Sequence, residues 1–376
     1  MRARGGPLTS HRLTAIALTA TPVACNALFG IDDLQYVPPA GAGGTSSETT
    51  SSSGTTSPSG SGGSTSGSGG EASGGGNPGG GGSGPASCVG LPEDCGPMGD
   101  ESCCKSPLVV GGSFDRSNNP LFPATVSDFR LDRFEVTVGR FRRFVNAYPS
   151  SAPAPGDGAH PAIPGSGWDA SDDAKLPGDA TALMAALDCG SYTTYTDQVG
   201  GQEHLPINCL TWELAFAFCA WDGGRLPTEA EWNYAAAAGA EQRLYPWGSA
   251  APTPALAVAG CSGDGVNGCT FADILDVGST SPGGDGKLWL DGSHADLAGN
   301  LWEWTLDVAN FSACCNEPYA AGTCIDCAHV SGNGTHVLRG GCFSSADVYL
   351  ETRTRYAGSP PGPCGGFGGV RCARLP

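Results

Sequence analysis

Arg225-Leu226-Pro227-Thr228-Glu229-Ala230-Glu231-Trp232-Asn233-Tyr234 is the stretch on which the reading of this chain turns. Thr228 and Glu231 have the Thr-x-x-Glu spacing of a capping box. The Thr228 hydroxyl accepts from the Glu231 backbone N–H, and the Glu231 carboxylate reaches back to the N–H of Thr228. Pro227 has no backbone N–H to donate and sits easily just outside that helix start. The spacing predicts a helix running through the Ala235–Ala238 tract and stopping at Gly239, which can take the left-handed conformation. Immediately upstream, residues 210–224 predict a second helix, with Thr211 as its N-cap and Gly223 as its C-cap. Two helices joined by Gly223-Gly224-Arg225-Leu226-Pro227 form a compact pair on which the rest of the domain must pack.

Outward from this pair the regular pattern is sparse. Val109 to Phe114 predicts a strand and turn, and the alternation over Phe129–Val136 predicts another strand. Thr137 caps a helix expected over Val138–Ala147, with Phe141, Phe144 and Val145 on one face. Residues 149–180, rich in Pro, Ala, Gly and Asp, read as a long surface insertion. Short strands are expected around Tyr192–Tyr195 and over His336–Phe343. Before the domain, residues 26–87 are dominated by Gly, Ser, Thr, Ala and Pro, which cannot bury enough apolar surface to offset ordering entropy; they read as a disordered tether. The glycine run at 74–84 lacks the Gly-Lys-Ser/Thr of a phosphate loop.

The first 25 residues read as a signal peptide. Arg2, Arg4, His11 and Arg12 precede an apolar stretch from Leu13 to Ala24 that is too short to span a bilayer. It ends at Val23-Ala24-Cys25, which resembles the lipobox of bacterial lipoproteins, with Cys25 as the lipidation site. Pro22 stands where that motif usually carries leucine, so ordinary secretion is the alternative. The expected location is the bacterial cell envelope, lipid-anchored or secreted. A formal net charge of −18, from 19 Lys plus Arg against 37 Asp plus Glu, argues against nucleic acid or an anionic membrane surface as partner. Membrane contact is expected only through the lipidated N-terminus. Of 17 cysteines, removing Cys25 leaves 17 − 1 = 16, which allows up to eight disulfides in an oxidising compartment. Cys88, Cys95, Cys103 and Cys104 make residues 88–106 a cystine-rich lead-in. Cys189–Cys209 and Cys261–Cys269 are expected as further local bridges. Cys324-Ile325-Asp326-Cys327 lacks the context of a zinc ribbon or a thioredoxin fold and reads as a disulfide.

Four blocks together resemble the formylglycine-generating enzyme, or sulfatase-modifying factor, family. They are Phe134-Glu135-Val136-Thr137; Pro206 through Tyr234; Gly299-Asn300-Leu301-Trp302-Glu303-Trp304; and Arg339-Gly340-Gly341 with Val370-Arg371-Cys372-Ala373. The resemblance covers residues 107–376. It implies one α+β domain of the C-type-lectin-like kind, low in regular secondary structure and rich in disulfides. Enzymes of that family oxidise a sulfatase cysteine to formylglycine, using oxygen and a Cu(I) ion held by two thiolates. Soft sulfur ligands select Cu(I), and the corresponding positions here carry Ser345 and Leu350, so copper is not expected. Cys342 stands at an active-site serine of the family and, with Ser345 and Arg339, marks the expected pocket; as a thiol Cys342 is either reactive or half of a disulfide, and Cys364 is equally ambiguous.

The resemblance also implies a disulfide between Cys219 and Cys372, and the loss of a second family bridge at both ends, where Ala236 and Arg355 stand. It places calcium on the Asp296 side chain, the Gly299 and Leu301 carbonyls and the Glu303 carboxylate, a hard-oxygen set suited to that ion. The reading that follows is an exported monomeric module of this fold without copper catalysis, binding a protein, peptide or glycan. The alternative is an oxidase of the family with a non-standard site.

Overall fold

Helix α4 (Glu229–Ala236) begins where the capping box puts it. Thr228 accepts from the Glu231 amide at 3.0 Å, and the Glu231 carboxylate accepts from the Thr228 amide at 2.8 Å. All eight residues of this helix are buried, so its acidic and amide side chains must find partners inside the protein. Glu231 takes a two-pronged ion pair from Arg225. Glu229 binds Arg339 and Arg355, and Asn233 bonds the Ser117 amide and the Thr352 carbonyl. The helix ends earlier than expected. Ala238 already has φ +59°, so the left-handed turn starts one residue before Gly239, which continues it against the Tyr234 ring.

The computed structural model describes residues 85–280, 293–309, 324–332, 335–358 and 368–376. The expected signal peptide with Cys25, the expected tether up to residue 84 and Cys364 lie outside the described residues. No described helix is long and apolar enough to cross a membrane. Helix α1 (Val138–Ala147) starts at Thr137, whose hydroxyl accepts from the Arg140 amide, and helix α3 (Trp212–Trp221) starts at Thr211 in the same way. A short helix α2 (Ala180–Ala186) is capped by Asp179. The helices enclose an aromatic core in which Phe141 stacks on Phe218 at 5.3 Å and Phe144 meets Phe218 and Trp221 edge-on.

Three small sheets surround the helices. Strand β4 (Phe129–Leu131) lies between β1 (Leu108–Val109) and β10 (Ala373–Arg374). Strand β3 (Pro123–Val126) lies between β2 (Gly112–Asp115) and β6 (Cys324–Ile325). The third sheet is ordered β8 (Tyr356–Ala357), β7 (His336–Arg339), β5 (Trp302–Val308), β9 (Gly368–Gly369). The expected strand over Phe129–Val136 stops at Leu131, because the chain beyond it turns charged side chains inward. Asp132 pairs with Arg140 of α1 at 2.9 Å and with Arg374 at 3.2 Å, while Asp222 at the end of α3 binds the same two arginines. The expected strand from Val109 to Phe114 is likewise split: at Gly111 the chain leaves one sheet for the other, its amide held by Asp128. No strand forms at Tyr192–Tyr195.

The Cys219–Cys372 disulfide is formed, both residues fully buried, and joins α3 to the strand that closes the domain. Cys189–Cys209 and Cys261–Cys269 are also bridged, as are Cys88–Cys104 and Cys95–Cys103 in the lead-in. At the absent second bridge, Ala236 is packed in the core and Arg355 forms an ion pair with Glu229. The 149–180 segment is not a loose excursion. Trp168 is only 3% exposed, packs on Phe216 of α3 and donates to Asp173, and His160 is buried beside Glu231.

Candidate functional site: a glycine turn, a buried acid cluster and a polar cavity

The end of β7 turns sharply at Gly340 (φ +95°) and Gly341 (φ +76°). A Cβ on Gly341 would sit 2.9 Å from the Leu350 side chain and 3.3 Å from the Ser345 hydroxyl. The turn therefore gathers the two positions at which the resemblance places metal thiolates. Neither can act as one. The Ser345 hydroxyl accepts from the Cys342 amide at 2.9 Å and donates to the Cys342 sulfur at 3.4 Å. Leu350 is buried in an apolar cluster with Tyr245, Trp247, Ala257 and Ala298. Cys342 is disulfide-bonded, which answers its ambiguity. The described residues include thirteen cysteines, and all thirteen are in disulfides.

The expected pocket rests on Cys342, Ser345 and Arg339. All three residues are buried. Arg339 is spent on structure, bonding the Thr352 and Thr354 carbonyls at 3.0 Å each and Glu229 at 2.6 Å, with Trp232 against its guanidinium. What borders the turn instead is aromatic. Trp302 of β5 packs against Tyr349 (5.9 Å) and Tyr356 (5.4 Å), and Tyr349 is half-buried.

The loop before β5 carries the residues expected to hold calcium. Gly299 (φ +89°) runs against Val258, leaving no room for a side chain, and Asn300 also takes a left-handed conformation. Glu303 is gripped by Arg371 through two bonds of 2.6 and 2.7 Å and accepts from the Trp232 indole at 2.7 Å. Asp296 accepts from the Gly278 amide at 2.6 Å and the Thr280 hydroxyl at 3.3 Å. Sequence reasoning missed a third carboxylate, Glu135, which accepts from the Asn300 side chain at 2.8 Å and the Leu301 amide at 3.0 Å. Its block was recognisable, but its role depends on residues some 165 positions away. Arg371, also unassigned from sequence, directs every guanidinium N–H at Glu303 or at the carbonyls of Asp132, Arg133 and Ala295.

Glu135, Asp296 and Glu303 thus lie around one guanidinium, and the surplus negative charge shows in the protonation of Asp296 and Glu135. Burial pushes the Asp296 carboxyl up to about 6, with Glu303 adding to the effect against the Gly278 amide and Arg371. Burial, then Asp296 and Glu303, hold Glu135 well above the carboxylate range. On charge the cluster fits a cation. On geometry the fit is incomplete, because both expected carboxylates already accept protein hydrogen bonds. Among the described residues, no three His, Cys, Asp or Glu side chains are grouped to hold a metal.

A cavity of about 520 Å³ lies between the 165–175 segment and the core elements α3, β5 and β7. Ser166, Asp169, Asp172 and Lys175 face Trp212 and His336 across it. Trp212 and His336 stack with centroids 3.7 Å apart and planes 8° from parallel. Lys175 bonds Asp172 at 2.9 Å and crosses to Glu213 of α3 at 3.1 Å. Burial lowers His336 to about 4, so its imidazole is neutral at pH 7 and available as a hydrogen-bond partner. This is a polar, preformed site of the size that accepts a small ligand.

Against known proteins, residues 97–376 match the sulfatase-modifying factor enzyme 1-like domain family. The formylglycine-generating enzyme of Streptomyces coelicolor is 30% identical over 272 residues, covering 68% of this chain and 80% of the relative. A bovine protein, inactive C-alpha-formylglycine-generating enzyme 2, is 38% identical over 103 residues, which is 27% of this chain and 32% of the relative. Hercynine oxygenase of Mycolicibacterium thermoresistibile is 39% identical over 103 residues, 27% of this chain and 20% of the relative. With the fold, the glycine turn and the matched blocks in place, the chain belongs to the formylglycine-generating enzyme, or sulfatase-modifying factor, family.

Proposed function

We propose that this protein is an exported, envelope-associated member of the family that works as a binding module and not as a copper oxidase. One observation carries the reading: where two Cu(I) thiolates are required, Ser345 is tied to Cys342 and Leu350 is packed in apolar contact. Disulfide bonding of every described cysteine, Cys342 included, supports it, since a disulfide sulfur does not serve as a thiolate ligand. Similarity to a relative named as inactive is in keeping with this. The ligand is a protein, peptide or glycan, and the cavity between Lys175 and Trp212 is the surface offered to it. Its acceptors Asp169 and Asp172, the Ser166 and Ser171 hydroxyls and the Lys175 ammonium suit a ligand that both donates and accepts hydrogen bonds.

Export and lipid anchoring belong to the same reading and rest on residues 1–25, above all Cys25. Calcium at Asp296, Gly299, Leu301 and Glu303 also remains part of it, supported by the surplus charge of the acid cluster. To bind there, the ion must compete with Arg371 for Glu303 or with Gly278 for Asp296. If bound, it would neutralise the cluster and stiffen the loop before β5.

The test is to titrate the non-reduced protein with Cu(I), then incubate it with a Cys-x-Pro-x-Arg peptide and follow the peptide by mass spectrometry. No copper uptake and an unchanged peptide are expected. Conversion of the peptide cysteine to an aldehyde would refute the reading. A glycan and peptide array probed with wild type and Trp212→Ala then examines the cavity: binding by the wild type that the variant loses is the expected outcome, and binding unaffected by the substitution would move the ligand site elsewhere.

A further inference from the structure

The pair Cys324–Cys327 differs from the other described disulfides in what surrounds it. Only two residues separate its cysteines, so opening it releases little chain entropy compared with the 153-residue separation of Cys219–Cys372. The turn is also held without it. The Asp326 carboxylate accepts from the Ser127 amide and hydroxyl at 2.6 Å each, and the Asp326 amide donates to the Thr125 carbonyl at 2.9 Å. Strand β6 is in register on β3 through Ala124 and Thr125. The bridge is therefore dispensable for the local backbone.

Its two sulfurs are unequal. Cys324 is buried, whereas Cys327 is half-buried and so the more accessible of the two. The Arg116 guanidinium donates to the Cys327 sulfur at 3.7 Å. A cation that hydrogen-bonds a sulfur stabilises the thiolate more than the disulfide, which favours the reduced form. Beside the pair, Ile325 is 67% exposed and offers an apolar contact for a partner.

We propose that Cys324–Cys327 is a thiol–disulfide exchange site whose substrate is a dithiol. A thiolate of the dithiol attacks the Cys327 sulfur, forming a mixed disulfide and releasing Cys324 as a thiolate. The second thiol of the substrate then attacks its own sulfur in the mixed disulfide. The substrate leaves oxidised to a disulfide, and Cys327 is released beside Arg116. Two electrons and two protons pass from the dithiol to the cysteine pair.

The experiment equilibrates the full chain in glutathione buffers of increasing reducing strength, quenches with acid and alkylates the free thiols for peptide mass spectrometry. Near-ultraviolet circular dichroism is recorded in parallel. Cys324–Cys327 should open while Cys219–Cys372 remains closed and the dichroism is unchanged. Arg116→Gln should require a buffer at least about threefold more reducing for half-opening, whereas Arg116→Lys, which keeps the charge, should stay near wild type. A reduced dithiol peptide should be oxidised in proportion to the opened pair. The proposal is overturned if the pair opens only together with Cys219–Cys372 or with loss of dichroism. It is equally overturned if Arg116→Gln, folded by the same spectrum, leaves the midpoint unmoved.

Discussion

Replacing Glu229 by Gln removes the one carboxylate that Arg339 and Arg355 share at the start of α4. Arg339 donates to it at 2.6 Å, and Arg355 holds it through Nε and through Nη2, the latter at 2.9 Å. All three side chains are buried. Removing one partner of a buried pair typically costs about 3–5 kcal/mol, because the remaining charge keeps its desolvation penalty. Here one neighbour offsets part of the loss. Asp307 bonds the Glu229 amide at 2.7 Å, and burial together with the Glu229 charge raises its carboxyl to about 7. Without Glu229, Asp307 ionises more fully and faces Arg355. A net loss of about 3 kcal/mol is expected, a Tm decrease on the order of 10 °C for a domain of this size. Urea and thermal unfolding at pH 7, followed by circular dichroism, measure it. In an Asp307→Asn background the same substitution should cost more, since the compensating carboxylate is gone. A loss below about 1 kcal/mol in the single variant, or equal losses in both backgrounds, would refute this account of the charge network.

Thr228→Ala should lower stability by about 1 kcal/mol, since the Glu231 amide loses its acceptor; an unchanged urea midpoint would show that the capping box contributes nothing. Asp307 also sets a pH dependence. Its folded pKa is raised, so its contribution is complete below the unfolded value of about 4 and is lost as pH climbs through about 7. Between pH 6 and 7.5 the wild type should lose about 1 kcal/mol relative to Asp307→Asn, and parallel stability curves for the two proteins would contradict this. Millimolar calcium should raise Tm, by about 2.7 kcal/mol of stabilisation at a hundredfold excess over Kd, and Asp296→Asn should abolish the rise. No difference between calcium and a chelator would remove the ion from the proposed function.

The parts of the fold legible in the sequence are those fixed by local chemistry. Thr137, Thr211 and Thr228 each announce a helix that begins at the next residue, because an N-cap acts within three positions. The local bridges Cys189–Cys209 and Cys261–Cys269 were accessible for the same reason of proximity. Asp132 and Glu135 were not. In an alternating stretch they read as the solvent face of a strand, yet both are fully buried, because Arg374, Arg140 and Asn300 arrive from distant segments. The 149–180 segment shows the same limit. Trp168 and His160 anchor it, but two anchors in a stretch of Pro and Gly leave no periodicity to read. At the candidate site, the positions of Ser345 and Leu350 came from family likeness; the burial of both came only with the fold.

Residues 370–374 complete the interior of the domain from its far end. Arg371 satisfies Glu303, Arg374 answers Asp132 and Asp222, Cys372 bonds α3, and Ala373 exchanges backbone hydrogen bonds with Arg225. Until this segment is available, Asp132 and Asp222 have, among the described residues, only Arg140 as a cation between them, the Glu303 carboxylate has only the Trp232 indole, and Cys219 lacks its bridge, so the core stays incomplete. A chain synthesised from its N-terminus therefore cannot complete its core until Arg374 emerges. Such a domain closes its core in a late step, set by the arrival of its last residues.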